Sequence, residues 1–384
     1  MKTVCDVGSC TGCMACVDIC PKNAIHIEDT MRSYNAVIEE SACISCDMCH
    51  RVCQNNNPVS LEQPIHWRQG WSAEDDVRKK SSSGGVAAAI EKAFIKRGGV
   101  VCSCTFTHGE FCFSFAENEE QLQRFIGSKY VKSNPKGVYR KIKDFLKLGR
   151  CVLFVGLPCQ AAAVKIFVGA KLQEKLYLVD LICHGSPSPQ VLGTFLEQHG
   201  VSIDELEDIS FRSKSTFQLE SNQKAIGIPG VLDKYSMAFL NSICYTENCY
   251  RCAYARIDRC SDITLGDSWG SELSEEEQRK GISLILCQSK KGMELLEKSN
   301  LDLKSVNIDN AIKSNHQLNH PSDMPKCRNE FFDGVESGEK FDKIVWRCLP
   351  KSSVKQFIKC ILIKARIIGG GGKSNYRIVV TFHI

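Results

Sequence analysis

Short apolar runs, broken by polar turns that carry glycine, recur through the middle of the chain, and their spacing predicts its elements. Residues 86–96 read as an apolar helix, 100–106 as a buried strand, and 111–115 as an alternating strand that pairs with it. A helix over 136–148 is opened by Asn134-Pro135 and closed by Gly149. Two strand–turn–helix units follow: strand 151–155 with helix 161–168, then strand 176–182 with helix 190–199. Residues 282–287 form a further buried strand. Units of this kind give parallel sheets that bind ligands at the carboxyl ends of their strands. Residues 200–240 read as a polar insertion with short strands at Phe211 and Ile226-Gly227-Ile228, and 316–332 as loop. Helix 354–367 is amphipathic, with Val354, Phe357, Ile358, Ile361 and Leu362 on one side, Lys351, Lys355 and Lys359 nearby, and Gly369–Gly372 at its end.

Ahead of this domain the pattern changes. Two cysteine runs share one form: Cys10, Cys13, Cys16 and Cys20 followed by Pro21, then Cys43, Cys46, Cys49 and Cys53 followed by Gln54. The short strands Ile25-His26-Ile27 and Val37-Ile38 form a hairpin between them. This x2-x2-x3 spacing is that of bacterial two-cluster ferredoxins, in which the fourth cysteine of each run reaches the other cluster. One [4Fe–4S] cluster is therefore assigned to Cys10, Cys13, Cys16 and Cys53, and a second to Cys43, Cys46, Cys49 and Cys20. Zinc sites and disulfides are the alternatives, but zinc favours paired ligands over four-cysteine runs. Gln54 in place of proline weakens a helix-start signal and removes no ligand.

The predicted organisation is an α+β ferredoxin-like module over 1–60, a linker over 61–75, an α/β domain with a mainly parallel sheet over 76–345, and a basic helix and tail over 346–384. Twenty-three cysteines in 384 residues, with no apolar signal segment, point to metal use in a reducing, cytoplasmic setting. No apolar run is long enough to predict a membrane span. The net charge of +5 is uneven: residues 343–384 carry nine Lys or Arg and no acid, leaving −4 on the rest. Such a tail suits an acidic partner protein or a peripheral membrane contact, or is simply solvated. No recognition motif or aromatic–basic platform points to nucleic acid.

Further chemistry lies in the larger domain. Ser81, Ser82, Ser83, Gly84 and Gly85 precede a helix, where free backbone N–H groups grip an anion; the plainer reading makes Ser83 an N-cap. A second polar loop holds Gly127, Ser128, Lys129 and Tyr130. Cys159 and Cys183 stand at two strand ends, and Cys249-x2-Cys252 supplies half a metal site. A local set of Cys244, Cys249, Cys252 and Cys260 and a composite set of Cys159, Cys183, Cys249 and Cys252 are both open, for zinc or for a cluster. His184 is a candidate proton donor, though a structural histidine fits the position better; His316 and His320 read as surface residues. Cys287, Cys327, Cys348 and Cys360 read as structural.

Taken in order, Ser-Ser-Ser-Gly-Gly, Gly-Ser-Lys-Tyr-Val, Gly156-Leu157-Pro158-Cys159-Gln160, Cys183-His184-Gly185, Cys-x2-Cys and Asp262–Gly270 resemble the coenzyme F420 hydrogenase/dehydrogenase beta subunit family over residues 70–345. The form is similar to a bacterial branch associated with surface-polysaccharide genes. The resemblance implies FAD at the two polar loops, and a third [4Fe–4S] cluster beside it, which favours the composite set of four cysteines. It implies an oxidoreductase passing electrons between ferredoxin or another redox protein and an organic substrate or deazaflavin coenzyme. The alternative is a non-catalytic electron-transfer subunit docked to a partner enzyme. Cys244 and Cys260 depart from the family pattern and leave the ligand choice open.

Overall fold

The two cysteine runs fold as matching loops. Backbone φ is positive two residues after the first cysteine of each run, at Gly12 and Ser45, and again just after the second, at Met14 and Asp47. Each loop then enters a five-residue helix, α1 (Ala15–Ile19) or α2 (Met48–Val52), and the antiparallel hairpin of β1 (Ile25–Asp29) and β2 (Tyr34–Ile38) lies between them. Gly12 is required: its φ is +73°, and a Cβ there would lie 2.6 Å from the Tyr34 ring. The computed structural model describes residues 1–367; Gly369–Gly372 and the end of the basic tail lie outside the described residues.

The chain continues through β3 (His66–Ser72), α3 (Asp75–Lys80), α4 (Val86–Lys96), β4 (Val100–Thr107), β5 (Glu110–Ala116), α5 (Val138–Lys147), β6 (Val152–Gly156), α6 (Pro158–Val168), β7 (Leu176–Leu181) and α7 (Pro189–Gln198). A small antiparallel sheet of β8 (Ser210–Ser213), β9 (Thr216–Ser221) and β10 (Lys224–Ala225) leads to α8 (Lys234–Leu240). Then come β11 (Ile263–Asp267), α9 (Glu275–Lys280), β12 (Ser283–Cys287), α10 (Lys290–Glu297), β13 (Leu301–Lys304), α11 (Ile308–Ser314), α12 (Arg328–Glu336), α13 (Phe341–Cys348) and α14 (Pro350–Lys364).

Among the described residues, eight strands form one sheet in the order β13-β3-β12-β11-β7-β6-β4-β5. Its centre, β4, β6, β7 and β11, is parallel, as the strand–turn–helix units predict, and both flanks are antiparallel. Residues of β6 are buried on both faces: Leu153 and Val155 pack with α4 and α10, while Val152 and Phe154 pack with α5, α6 and the cysteine module. The module is thus part of one layer over the sheet and shares its core. A separate apolar cluster joins α7, α8, the small sheet, α12 and α13.

Several expectations are corrected. Residues 66–72, read within a linker, form β3, which pairs with β12 and β13. The helix expected from residue 136 starts at Val138, because Asp18 of α1 supplies the cap: its carboxylate accepts from the N–H groups of Gly137 (2.7 Å) and Tyr139 (3.2 Å). Ser83 is not the cap of α4; Gly85 holds that position at φ 81°. Helices α8 and α12 form within stretches read as insertion and loop.

Helix α4 buries one carboxylic acid, Glu91, beside Ser103, with Lys129 as the nearby cation. Burial pushes its pKa up to about 8. The unfolded chain loses this proton near the ordinary value and the folded chain keeps it to about pH 8, so stability falls as pH rises through that window. The melting temperature is expected to drop between pH 6 and 8.5 in the wild type, and to drop less in Glu91→Gln, as read by calorimetry across that range.

Candidate functional site

Cys10, Cys13, Cys16 and Cys53 line one enclosed hollow, together with Val4, Ala36 and Gln54. Cys20 instead lies with Cys43 against Cys49. The fourth cysteine of each run has therefore crossed to the other run. Backbone N–H groups donate to three sulfurs: Gly12 to Cys10 (3.4 Å), Ser45 to Cys43 (3.4 Å) and Ala24 to Cys20 (3.3 Å). Such bonds raise the potential of a bound cluster. A fifth cysteine, Cys5, lines the first hollow, its sulfur accepting from Asn55 Nδ2 at 3.5 Å; it has no spacing signal in the sequence. Burial raises the Cys13 and Cys16 thiols, so thiolate here calls for a cationic occupant.

The second group of cysteines gathers where the parallel strands end. Cys159 opens α6 just past β6, Cys183 follows β7, and Cys249 and Cys252 come from a short turn after α8. Burial raises the Cys159 thiol, whose charged neighbours include Cys252, Cys183 and Cys13. The Cys183 thiol is pushed up to about 12, first by burial and then by Cys249 and Cys252. Lys132 opposes both shifts; its ammonium donates to the Thr11 carbonyl at 3.0 Å and stands between the two cysteine groups. The other two cysteines lie at its margins, Cys244 next to Cys249 and Cys260 with its sulfur 4.0 Å from Pro158 O. Cys244 is buried among Tyr235, Tyr245 and Arg328, and Cys260 faces Asp180, Lys165 and Arg259. Among the described residues, no three His, Cys, Asp or Glu side chains converge as a single metal ion requires. That requirement is tighter than a cubane's, since tetrahedral zinc holds its sulfurs about 3.8 Å apart.

Gln54 joins the two groups. Its amide donates to Cys159 O (2.6 Å) and Thr11 Oγ1 (3.1 Å), and its oxygen accepts from Tyr254 OH (2.5 Å). A proline here, as after the first run, would lack all three bonds.

Beyond Cys183, the neighbours of His184 include Asp267 and Arg212. Ser82 Oγ accepts from Ser128 N at 3.0 Å, so the two polar loops meet. Arg212 is held by both oxygens of Asp267 (2.7 and 2.9 Å) and donates to Ser82 O (2.9 Å) and Tyr130 OH (3.1 Å). Asp267 sits at the carboxyl end of β11, two residues beyond the Leu265–Leu181 pair that ends β7 and so level with Cys183. Lys214 donates to the carbonyls of Ser81 and Ser83, both at 2.8 Å. A Cβ at Gly84 would stand 2.5 Å from Gly70 O, so glycine lets Ser81–Gly85 lie directly on β3. Tyr130 stacks on Phe239 at 4.4 Å. Lys129 turns inward, donating to Phe125 O (2.9 Å) and Ile126 O (3.1 Å).

His184 follows Cys183, near Asp267 and Arg212. The Gln317 amide bridges His184 Nδ1 (2.8 Å) and His316 Nε2 (2.7 Å). Burial, then His316, lowers the His184 pKa to about 4, so the ring is neutral at physiological pH. Gly185, at φ +142°, leaves no room for a side chain, since a Cβ would stand 2.2 Å from the Tyr245 ring. Two buried polar atoms here lack partners among the described residues, Arg212 Nε and Gln317 Oε1. Sequence reasoning missed Arg212, Lys214 and Gln317, which lie in no motif; Asp267 lay inside one without a role.

Residues 149–310 match the family model for the C terminus of the coenzyme F420 hydrogenase/dehydrogenase beta subunit, and residues 9–57 match a 4Fe-4S dicluster domain. No curated protein matches the chain. Among solved structures, one similar chain comes from a xenon-derivatised F420-reducing [NiFe] hydrogenase complex of Methanosarcina barkeri, at 17% identity and a TM-score of 0.44, covering 82% of this chain and 97% of that one. The chain is thus similar to a 4Fe-4S dicluster domain over residues 9–57 and to the C terminus of the coenzyme F420 hydrogenase/dehydrogenase beta subunit over residues 149–310.

Proposed function

We propose that the chain is an iron–sulfur flavoprotein oxidoreductase, with two [4Fe–4S] clusters in residues 1–60, a third on Cys159, Cys183, Cys249 and Cys252, and FAD at the two polar loops 81–85 and 127–130. One observation carries this reading: the second cysteine group has Cys13 of the first hollow as a neighbour of Cys159 and, next to Cys183, His184 with Arg212, which holds the Ser82 and Tyr130 loops. Clusters pass electrons singly and a flavin exchanges them in pairs with an organic substrate or a deazaflavin coenzyme. The residues fit these groups. The cysteine groups supply soft thiolate donors, and the polar loops and their neighbours offer Ser82 and Ser128, the unpaired Arg212 Nε and Gln317 Oε1, and open space around Gly127.

The chain's own part is placement. Gln54 and Lys132 hold the two cysteine groups together, Lys132 favours thiolate at Cys159 and Cys183, and the Arg212–Asp267 pair fixes both polar loops. His184, neutral and tied to Gln317, serves position rather than proton donation. Ferredoxin or another redox protein is the exchange partner at the module. A second reading, a non-catalytic subunit docked to a partner enzyme, is favoured by the family being one of subunits.

Protein purified without oxygen is expected to hold about twelve irons, matching acid-labile sulfide, no zinc and one FAD, at four irons per cubane. About eight irons and no flavin would overturn the third cluster and the flavin together. Reduction of candidate substrates by the isolated protein separates an enzyme from a non-catalytic carrier.

A further inference from the structure

Helix α14 is amphipathic, and its apolar stripe faces solvent. Of its fifteen residues only Ser353 is buried. Val354 is 45% exposed, Phe357 54%, Ile358 51% and Ile361 49%. Their spacing of three, four and seven places them on one arc of about 100°, at 3.6 residues per turn. Lysines border the arc on both sides, Lys364 at one edge and Lys351 and Lys355 at the other. Trp346 of α13 is itself 40% exposed and extends the patch, with its ring edge-on to Phe357 at 6.0 Å. The helix is anchored from behind: Lys234 donates to Ser353 Oγ (3.2 Å), and Leu232 N donates to Gln356 Oε1 (3.1 Å).

We propose that α14 and Trp346 form a docking surface for an anionic lipid membrane, with the helix lying in the plane of the interface. An apolar arc centred between two rows of lysines lets the arc enter the acyl boundary while the lysine stems reach back to the headgroups. Tryptophan favours that depth. The charge distribution complements an anionic surface: residues 343–384 carry nine basic residues and no acid, whereas the rest of the chain is net −4 and is repelled. A second copy docked on this face would set the same lysines against one another. The contact is peripheral, since among the described residues no helix is long and apolar enough to cross a membrane. The surface owes nothing to the flavin or the third cluster.

The test uses the full-length protein, purified without oxygen with its iron bound, sedimented with vesicles of phosphatidylcholine alone or mixed with phosphatidylglycerol. Binding is expected with the anionic vesicles only, and to weaken with salt. The double variant Phe357→Glu/Ile361→Glu is expected to lower partitioning at least about tenfold, and Lys351→Glu/Lys355→Glu to abolish the preference for anionic lipid. Both variants alter exposed side chains, so iron content and melting temperature stay at wild-type values. No sedimentation with anionic vesicles overturns the proposal. So does equal binding to neutral vesicles, binding untouched by either variant, or a dimer that Phe357→Glu dissolves without any vesicle binding.

Discussion

Cys252→Ala is expected to lower iron by about four atoms per chain, with a matching loss of acid-labile sulfide, and to leave about eight irons in place. The remaining signal should be that of the two clusters in residues 1–60, because Cys252 has no place in either of their cysteine sets. Cys260→Ala is expected to keep all twelve, since the groups that act on Cys260 are Asp180, Lys165, Ser261 and Arg259 rather than the other cysteines, although its sulfur reaches Pro158 O at 4.0 Å. Iron and sulfide assays on both variants, with low-temperature electron paramagnetic resonance of the reduced protein, decide between the composite and the local ligand set. Iron kept by Cys252→Ala and lost by Cys260→Ala would reverse the assignment. The effect is expected to be large because a cubane deprived of one thiolate has an open corner, and Cys244, the sulfur closest in sequence, is buried among Tyr235, Tyr245 and Arg328.

Arg212→Ala is expected to cost about 3 kcal/mol of stability and to release the flavin while leaving about twelve irons. Arg212 is buried, and its guanidinium is paired with both oxygens of Asp267. Truncating it strands a partly buried carboxylate and frees Ser82 O and Tyr130 OH, so the loops at 81–85 and 127–130 lose their common anchor. Arg212→Lys is expected to restore little, because a single ammonium does not reproduce the fork that engages both carboxylate oxygens and the loop. Denaturant melts and flavin content measured on the same preparations separate the two effects. Flavin retained at wild-type level in Arg212→Ala would place its site elsewhere.

Much of the electron-carrying architecture is readable from the sequence because its signals are local. Each cysteine run is a fixed spacing within eleven residues, and the loops it builds share the same left-handed positions. The strands β6 and β7 are continuous apolar runs, so their carboxyl ends, and with them Cys159 and Cys183, are placed by pattern alone. What escapes a sequence reading depends on partners distant in sequence. Strand β3 carries buried Gln69 and Ser72 and shows no apolar run; Gln69 is satisfied by Ser305 O and Ser268 Oγ, which only the fold supplies. The start of α5 is set by Asp18, more than a hundred residues earlier. Arg212 stands in a polar stretch without motif, and its importance comes from meeting three other segments at one point. Gln54 reads as the loss of a helix-start proline, whereas its side chain links Cys159, Thr11 and Tyr254.

The fastening of the cysteine module has a kinetic consequence. Gln54 and Lys132, the Asp18 cap on α5, and Arg140, which donates to Cys20 O at 3.2 Å, tie the module to the sheet domain at four points. A carrier on a flexible tether must swing between donor and acceptor, and its turnover slows as the medium thickens. Here the gap between Cys13 and Cys159 is bridged by fixed side chains. Electrons crossing it would do so at a rate indifferent to solvent viscosity, and added glycerol would slow only the diffusional encounter with the external redox protein.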